Sequence, residues 1–167
     1  MRPNTHTTAS FAFAALLSAQ TCDGGGSRAL GVAAGAQPPV CPGNLTVELW
    51  PPNHEYRPVD LAALAGVTDP QGLAITISID SLTQDEPVND TGDGNTQCDA
   101  FGIGAAVAQV RAERSGNGDG RVYRIGYTAT NAVGLSCSSI VRVTVPHDQA
   151  DPAVEDAASF DSTAGCP

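Results

Sequence analysis

The sequence predicts an all-β protein, a layered antiparallel sandwich, and three observations predict it. Apolar side chains recur at every second position through much of residues 44–146, the period of strands with one buried and one wet face. The runs are separated by clusters of Gly, Pro, Asn and Asp, the punctuation expected of short strands joined by turns. Composition agrees: there are 18 Gly and 12 Pro but only 5% aromatic residues, and no helical stripe of useful length or internal repeat appears.

The elements follow in order. "NLTVELW" (44 to 50) places Leu45, Val47 and Leu49 on one face, and Pro51 and Pro52 stop the ladder after it. "YRPVDLA" (56 to 62) reads as an edge strand, because Pro58 has no N–H to give a neighbour; the competing reading of "DLAALAG" is one helical turn. "LAITISID" (73 to 80) sets Leu73, Ile75, Ile77 and Ile79 against Thr76, Ser78 and Asp80. "GAAVAQVRAER" (104 to 114) alternates through Ala106, Ala108, Val110 and Ala112. "RVYRIGYTAT" (121 to 130) offers Tyr123, Ile125, Tyr127 and Ala129 against Arg124 and Thr128, and "SIVRVTVP" (139 to 146) offers Val141, Val143 and Val145 against Arg142 and Thr144. The turns "DPQG", "SGNGDG" and "NAVG" supply Pro for a fixed φ and Gly or Asn for positive φ.

Charge narrows the partners. The chain of 167 residues has a net charge of -10, and all 8 of its basic residues are Arg. Such a surface repels phosphate backbones, so nucleic acid is not an expected partner. Residues 1–21 read as an export signal: Arg2 precedes the apolar run "ASFAFAALLSA" (9 to 19), which is too short to span a bilayer. Residues 22–40 have the Gly/Ala/Pro composition of a flexible tether. A Cys directly after such a signal resembles a bacterial lipoprotein, with Cys22 lipidated and holding the protein to the membrane; Ala19 and Thr21 depart from the usual pattern before that Cys. The expected address is the bacterial cell envelope, lipid-anchored or secreted. In that oxidising setting Cys41, Cys98, Cys137 and Cys166 read as two disulfides rather than a zinc site, since no pair has CxxC spacing. Spacing alone leaves all three pairings open.

"GRVYRIGYTATNAVGLSCSSIVRVTVP" resembles the closing hairpin of bacterial extracellular immunoglobulin-like modules of the HYR and cadherin-like kind. "LWPPNH", "QDEPVN" and "VPHDQ" resemble one set of these, and the likeness runs over residues 41–149, leaving 150–167 as an acidic tail. Glu55 stands where Lys is usual and Asn131 where Asp is commoner. The resemblance implies an immunoglobulin-like antiparallel β-sandwich of about seven strands with no established chemistry. In that topology the first and last strands run parallel side by side, which requires a seventh strand inside residues 84–104. It also ranks the pairings: Cys41 with Cys137 at one pole, and Cys98 with Cys166 at the other, pinning the tail.

Two candidate sites remain. In "DEPVNDTGDGNTQCDAFG" (85 to 102), oxygen side chains at uneven spacing with glycines between them can wrap a hard cation. The expected ligands of calcium are Asp90, Asp93, Asn95 and Asp99; the competing reading is a solvated acidic loop. The second is a transition-metal site at the shared pole, built from His54, His147 and Asp148 with Glu55 beside them. Its competitor is a structural corner, with Trp50 covering the core end and Asn53 and His54 tying off backbone groups. Neither GxSxG nor HExxH is present, and the absence of Lys excludes P-loop and Schiff-base chemistry. A Cys137/His147 pair would stand about 30 Å apart along an extended strand. The expected function is therefore not enzymatic: adhesion, spacing or display, with a surface protein or polysaccharide as partner. The alternative is small-ligand or metal binding through His54 and His147.

Overall fold

The computed structural model describes residues 35–167; Cys22, the export signal and residues 22–34 of the tether lie outside the described residues. Eight strands and one helical turn follow in order: β1 Leu45–Glu48, β2 Tyr56–Asp60, α1 Leu61–Leu64, β3 Ile75–Gln84, β4 Ala100–Phe101, β5 Val107–Arg111, β6 Arg121–Asn131, β7 Ser136–Val145 and β8 Phe160–Asp161. They form a five-stranded sheet in the order β1-β7-β6-β3-β8 and a three-stranded sheet in the order β2-β5-β4. The fold is an all-β sandwich.

The alternation does what the pattern demands. Tyr123, Ile125, Tyr127 and Ala129 of β6 and Val141, Val143 and Val145 of β7 are all buried, and they meet Val59, Leu61, Ala108 and Val110 from the facing side. β1 runs parallel to β7, with Leu45 opposite Val141 and Glu48 opposite Thr144. The required seventh strand is β4, inside residues 84–104. β2 is an edge of its sheet, as Pro58 requires. Both readings of the next segment hold in part, because Asp60 ends the strand and caps a helical turn, its Oδ1 accepting from Ala62 N at 2.9 Å and Ala63 N at 3.3 Å.

Four expectations are corrected. β3 runs on to Gln84, because a register shift between Ile79 and Ser81 changes its phase and turns Leu82 and Gln84 inward. Trp50 does not cover the core end; it is 40% exposed. The domain begins before Cys41: Pro39 is buried, Val40 bridges to Thr68, and Asn131 Nδ2 donates to Gln37 O at 3.0 Å. The acidic tail is part of the sandwich. β8 pairs with β3, Ser162 N donates to Leu82 O at 3.0 Å, and Ala100 N donates to Ser162 O at 3.0 Å, so the tail stitches one sheet to the other.

Disulfides join Cys41 to Cys137 and Cys98 to Cys166, the pairs the parallel topology favours. The first links residues 96 apart in sequence, so it restricts the unfolded chain strongly. Replacing both Cys41 and Cys137 by Ser is expected to cost about 3–5 kcal/mol, read as a fall in the urea midpoint. Asn131 occupies a place that needs both a donor and an acceptor. Its amide donates to Asp69 Oδ2 at 2.9 Å as well as to Gln37 O, while its Oδ1 accepts from Leu135 N at 3.0 Å. A carboxylate could only accept. Asn131→Asp is therefore expected to lower the melting temperature at pH 7, with a smaller loss near pH 3, where the introduced carboxyl gains a proton.

Candidate functional site

Among the described residues, a dense group of ionisable side chains gathers at one end of β6 around Arg121. This residue is in phase with Tyr123, Ile125 and Tyr127, so the alternation that buries them buries a guanidinium too; its exposure is 0%. A buried charge of this kind requires partners on every side. Nε donates to Glu86 Oε2 at 3.0 Å, and Nη1 to Asp99 Oδ2 at 2.7 Å and Glu113 Oε1 at 3.2 Å. Nη2 donates to Pro87 O at 3.2 Å and lies 3.8 Å from Asp93 Oδ2. Asp93, Asp99 and Glu113 have no exposed side-chain surface.

Each partner is positioned by a simple device. Glu86 and Asp99 flank the acidic segment between β3 and β4, and Gln84, turned inward by the shift in β3, donates from Nε2 to Asp99 Oδ2 at 2.6 Å. Asp93 closes its own loop: Oδ1 accepts from Asn95 N at 3.0 Å and Oδ2 accepts from Asp90 N at 2.5 Å. Glu113 follows β5, and its Oε2 accepts from Thr96 Oγ1 at 2.9 Å. Tyr123 OH donates to Arg111 O at 2.9 Å and lies 3.3 Å from Arg121 Nη1.

Four carboxylates thus surround one guanidinium, with Arg111 Nε a further 3.6 Å from Glu113. Full ionisation would leave net negative charge in a low-dielectric interior. Burial pushes the Asp99 carboxyl up to about 7; its hydrogen bond with Glu113 acts the same way, against Gln84 and Arg121. Burial alone would lower the pKa of Arg121, but Tyr123, Asp99 and Glu86 reverse it and the net direction is up. Burial also pushes the Tyr123 phenol up.

The predicted calcium ligands are therefore divided. Asp93 and Asp99 turn onto Arg121, Asp90 is half-buried in the loop, and Asn95 is exposed at φ 57°. The alternative set is not drawn together either. His54, at φ 62°, places Nδ1 3.4 Å from Glu113 Oε2, whereas His147 Nδ1 lies 3.8 Å from Asp148 Oδ2. Glu55 accepts from Asn53 Nδ2 at 2.9 Å and pairs with Arg57 at 3.0 Å. Among the described residues, no three His, Cys, Asp or Glu side chains are arranged to hold a metal ion. His54 does serve as a corner residue: its N donates to Ala112 O at 2.9 Å, and its O accepts from Arg111 Nη1 at 3.1 Å.

No family model matches the chain, and no curated protein matches it significantly. The sequence reading missed Arg121 and Glu113. The signal for Arg121 was there to find, since an Arg two places before Tyr123 must point the same way as Tyr123; Glu113 is out of phase with Ala108, Val110 and Ala112, so alternation does not reveal it.

The cluster yields two expected outcomes. Arg121→Met leaves several buried carboxylates unpaired and is expected to cost about 3–5 kcal/mol at pH 7, measured by urea unfolding. Asp99 sets a pH dependence. The folded chain holds a proton that the unfolded chain releases near pH 4. Its contribution is full below that pH and is lost as the pH rises through about 7. Asp99→Asn should flatten this part of the stability profile between pH 4 and 8; an unchanged slope would assign it to other groups.

Proposed function

We propose that this chain is an exported, non-catalytic immunoglobulin-like domain of a bacterial envelope, lipid-anchored at Cys22 and serving adhesion, spacing or display. One observation carries the reading: the ionisable cluster around Arg121 is spent inside the fold. Asp93, Asp99, Glu113 and Arg121 have no exposed side-chain surface, so no substrate can reach them. Charged groups so placed hold two layers and a long acidic segment together.

The two disulfides support an oxidising setting. No helix among the described residues is long and apolar enough to cross a membrane; attachment in this reading is through the lipid at Cys22. A surface protein or polysaccharide remains the expected partner class. The two candidate metal sets are not part of the proposal, because their members face Arg121 or stand apart.

The test is expression of the full chain in a bacterium with fractionation of the cells. The wild type is expected in the envelope fraction with both disulfides formed, and Cys22→Ala in the soluble exported fraction. Recovery of the wild type in the cytoplasm with reduced cysteines would overturn the proposal.

A further inference from the structure

Arg124 and Arg142 lie directly opposite each other on β6 and β7. Both alternate with core residues and so point to the outer face of the five-stranded sheet. Like charges at opposed positions destabilise a strand pair unless an anion bridges them. Here the anion is Glu155: Oε1 accepts from Arg124 Nε at 2.6 Å and Oε2 from Arg142 Nε at 2.6 Å. Arg124 also donates from Nη1 to Ala158 O at 3.0 Å and from Nη2 to Asp156 O at 2.5 Å. The pair therefore reads one carboxylate and two main-chain carbonyls of an extended segment.

The segment that supplies them lies lightly on the sheet. Every residue from 151 to 160 is exposed except Ala153, which is half-buried. Ala153 sits on Gly120, where a Cβ would come within 2.7 Å of its own Cβ. Val122, an outward-facing apolar residue, is only 1% exposed and lines the same cleft as Pro152, Ala153 and Glu155. This open cleft of ≈ 410 Å³ is also lined by Thr46, Glu48, Arg142 and Thr144. An attachment made mostly of exposed polar contacts opens at low cost, and its far end is retained by the Cys98–Cys166 disulfide.

We propose that Arg124 and Arg142 form a binding site for the carboxylate of an extended acidic peptide, filled in cis by residues 152–158 and open to a competing acidic segment of a partner protein when that strap lifts. The sheet needs an anion at this place; it does not need that anion to come from its own chain. This assignment stands apart from the address and anchoring proposed above.

Two measurements on the full chain test it. In Glu155→Ala with both disulfides intact, sodium acetate should raise the melting temperature by about 3 °C more than sodium chloride at equal ionic strength. That difference should vanish when Arg142→Gln is added. An equal response to the two salts would overturn the carboxylate site. In the second, a labelled peptide of residues 152–160 is titrated into Glu155→Ala carrying Cys98→Ser and Cys166→Ser, which frees the strap. Saturable binding is expected, weakened about tenfold or more when the peptide carries Gln for Glu. Equal binding of both peptides, or none by a variant whose circular dichroism shows the folded sandwich, would overturn the competing-ligand assignment. If that variant does not fold, the same two peptides are titrated into Glu155→Ala with both disulfides intact, and the same outcomes decide.

Discussion

A guanidinium with no solvent exposure must find its counter-charge inside the protein, and the pole of the sandwich around Arg121 is arranged to meet that requirement. The partners come from far apart in sequence: Glu86, Asp93 and Asp99 from one long connection, and Glu113 from the segment after β5. Long connections rarely hold a fixed shape unless something within the domain ties them down. Here the tie is a charge. Asp93 makes the point locally, since it closes its loop through the backbone of Asp90 and Asn95 while facing Arg121 with the same carboxylate. The connection from β3 to β4 is ordered by wrapping a cation, but the cation belongs to the protein.

That is why the acidic stretch read as a calcium loop. Oxygen-rich side chains between glycines are what a hard cation and a buried Arg both require, and spacing alone does not distinguish them. The distinguishing residue lay elsewhere, at position 121, where strand alternation places a charged side chain on the apolar face. The alternating strands and the edge position of β2 were legible because period two and Pro58 are local signals with tertiary consequences, whereas the parallel β1–β7 contact was expected only from the resemblance to immunoglobulin-like modules. β8 was not: two residues in an acidic tail carry no alternation, and their pairing follows from where Cys166 and Ser162 are held. The phase change in β3 was equally hidden. Gly126 gives Ser81 room across the strand pair, a matter of two side chains meeting rather than of either residue's own preference.

The tail changes what the domain is. A sandwich with separate three- and five-stranded sheets has open sides, and residues 160–166 close one of them by hydrogen bonding to Leu82, Ala100 and Cys98 in turn. Cys98 is also the neighbour of Asp99, so the disulfide that anchors the tail lies next to the ion cluster. Loosening either contact would be felt by the other, because the same short length of chain carries both. On the opposite side β1 and β2 remain edges. β1 is four residues long and followed by Pro51 and Pro52, and β2 contains Pro58, features that discourage pairing with another chain.

The same chemistry recurs outside, where Glu155 neutralises Arg124 and Arg142. All six arginines among the described residues have internal partners, Arg57 with Glu55 and Arg114 with the carbonyls of Ser115 and His147 completing the set. Positive charge is thereby used internally, and the field that reaches solvent is dominated by the acidic excess of a chain with net charge -10. An acidic segment arriving from another molecule must cross that field before it meets the arginine pair, which slows it most at low salt. A segment of the same chain avoids the crossing: it is already beside the site, at the high effective concentration that a short tether gives. Tethering, more than the strength of the contacts, favours the strap over its competitors, so the balance between them shifts with ionic strength.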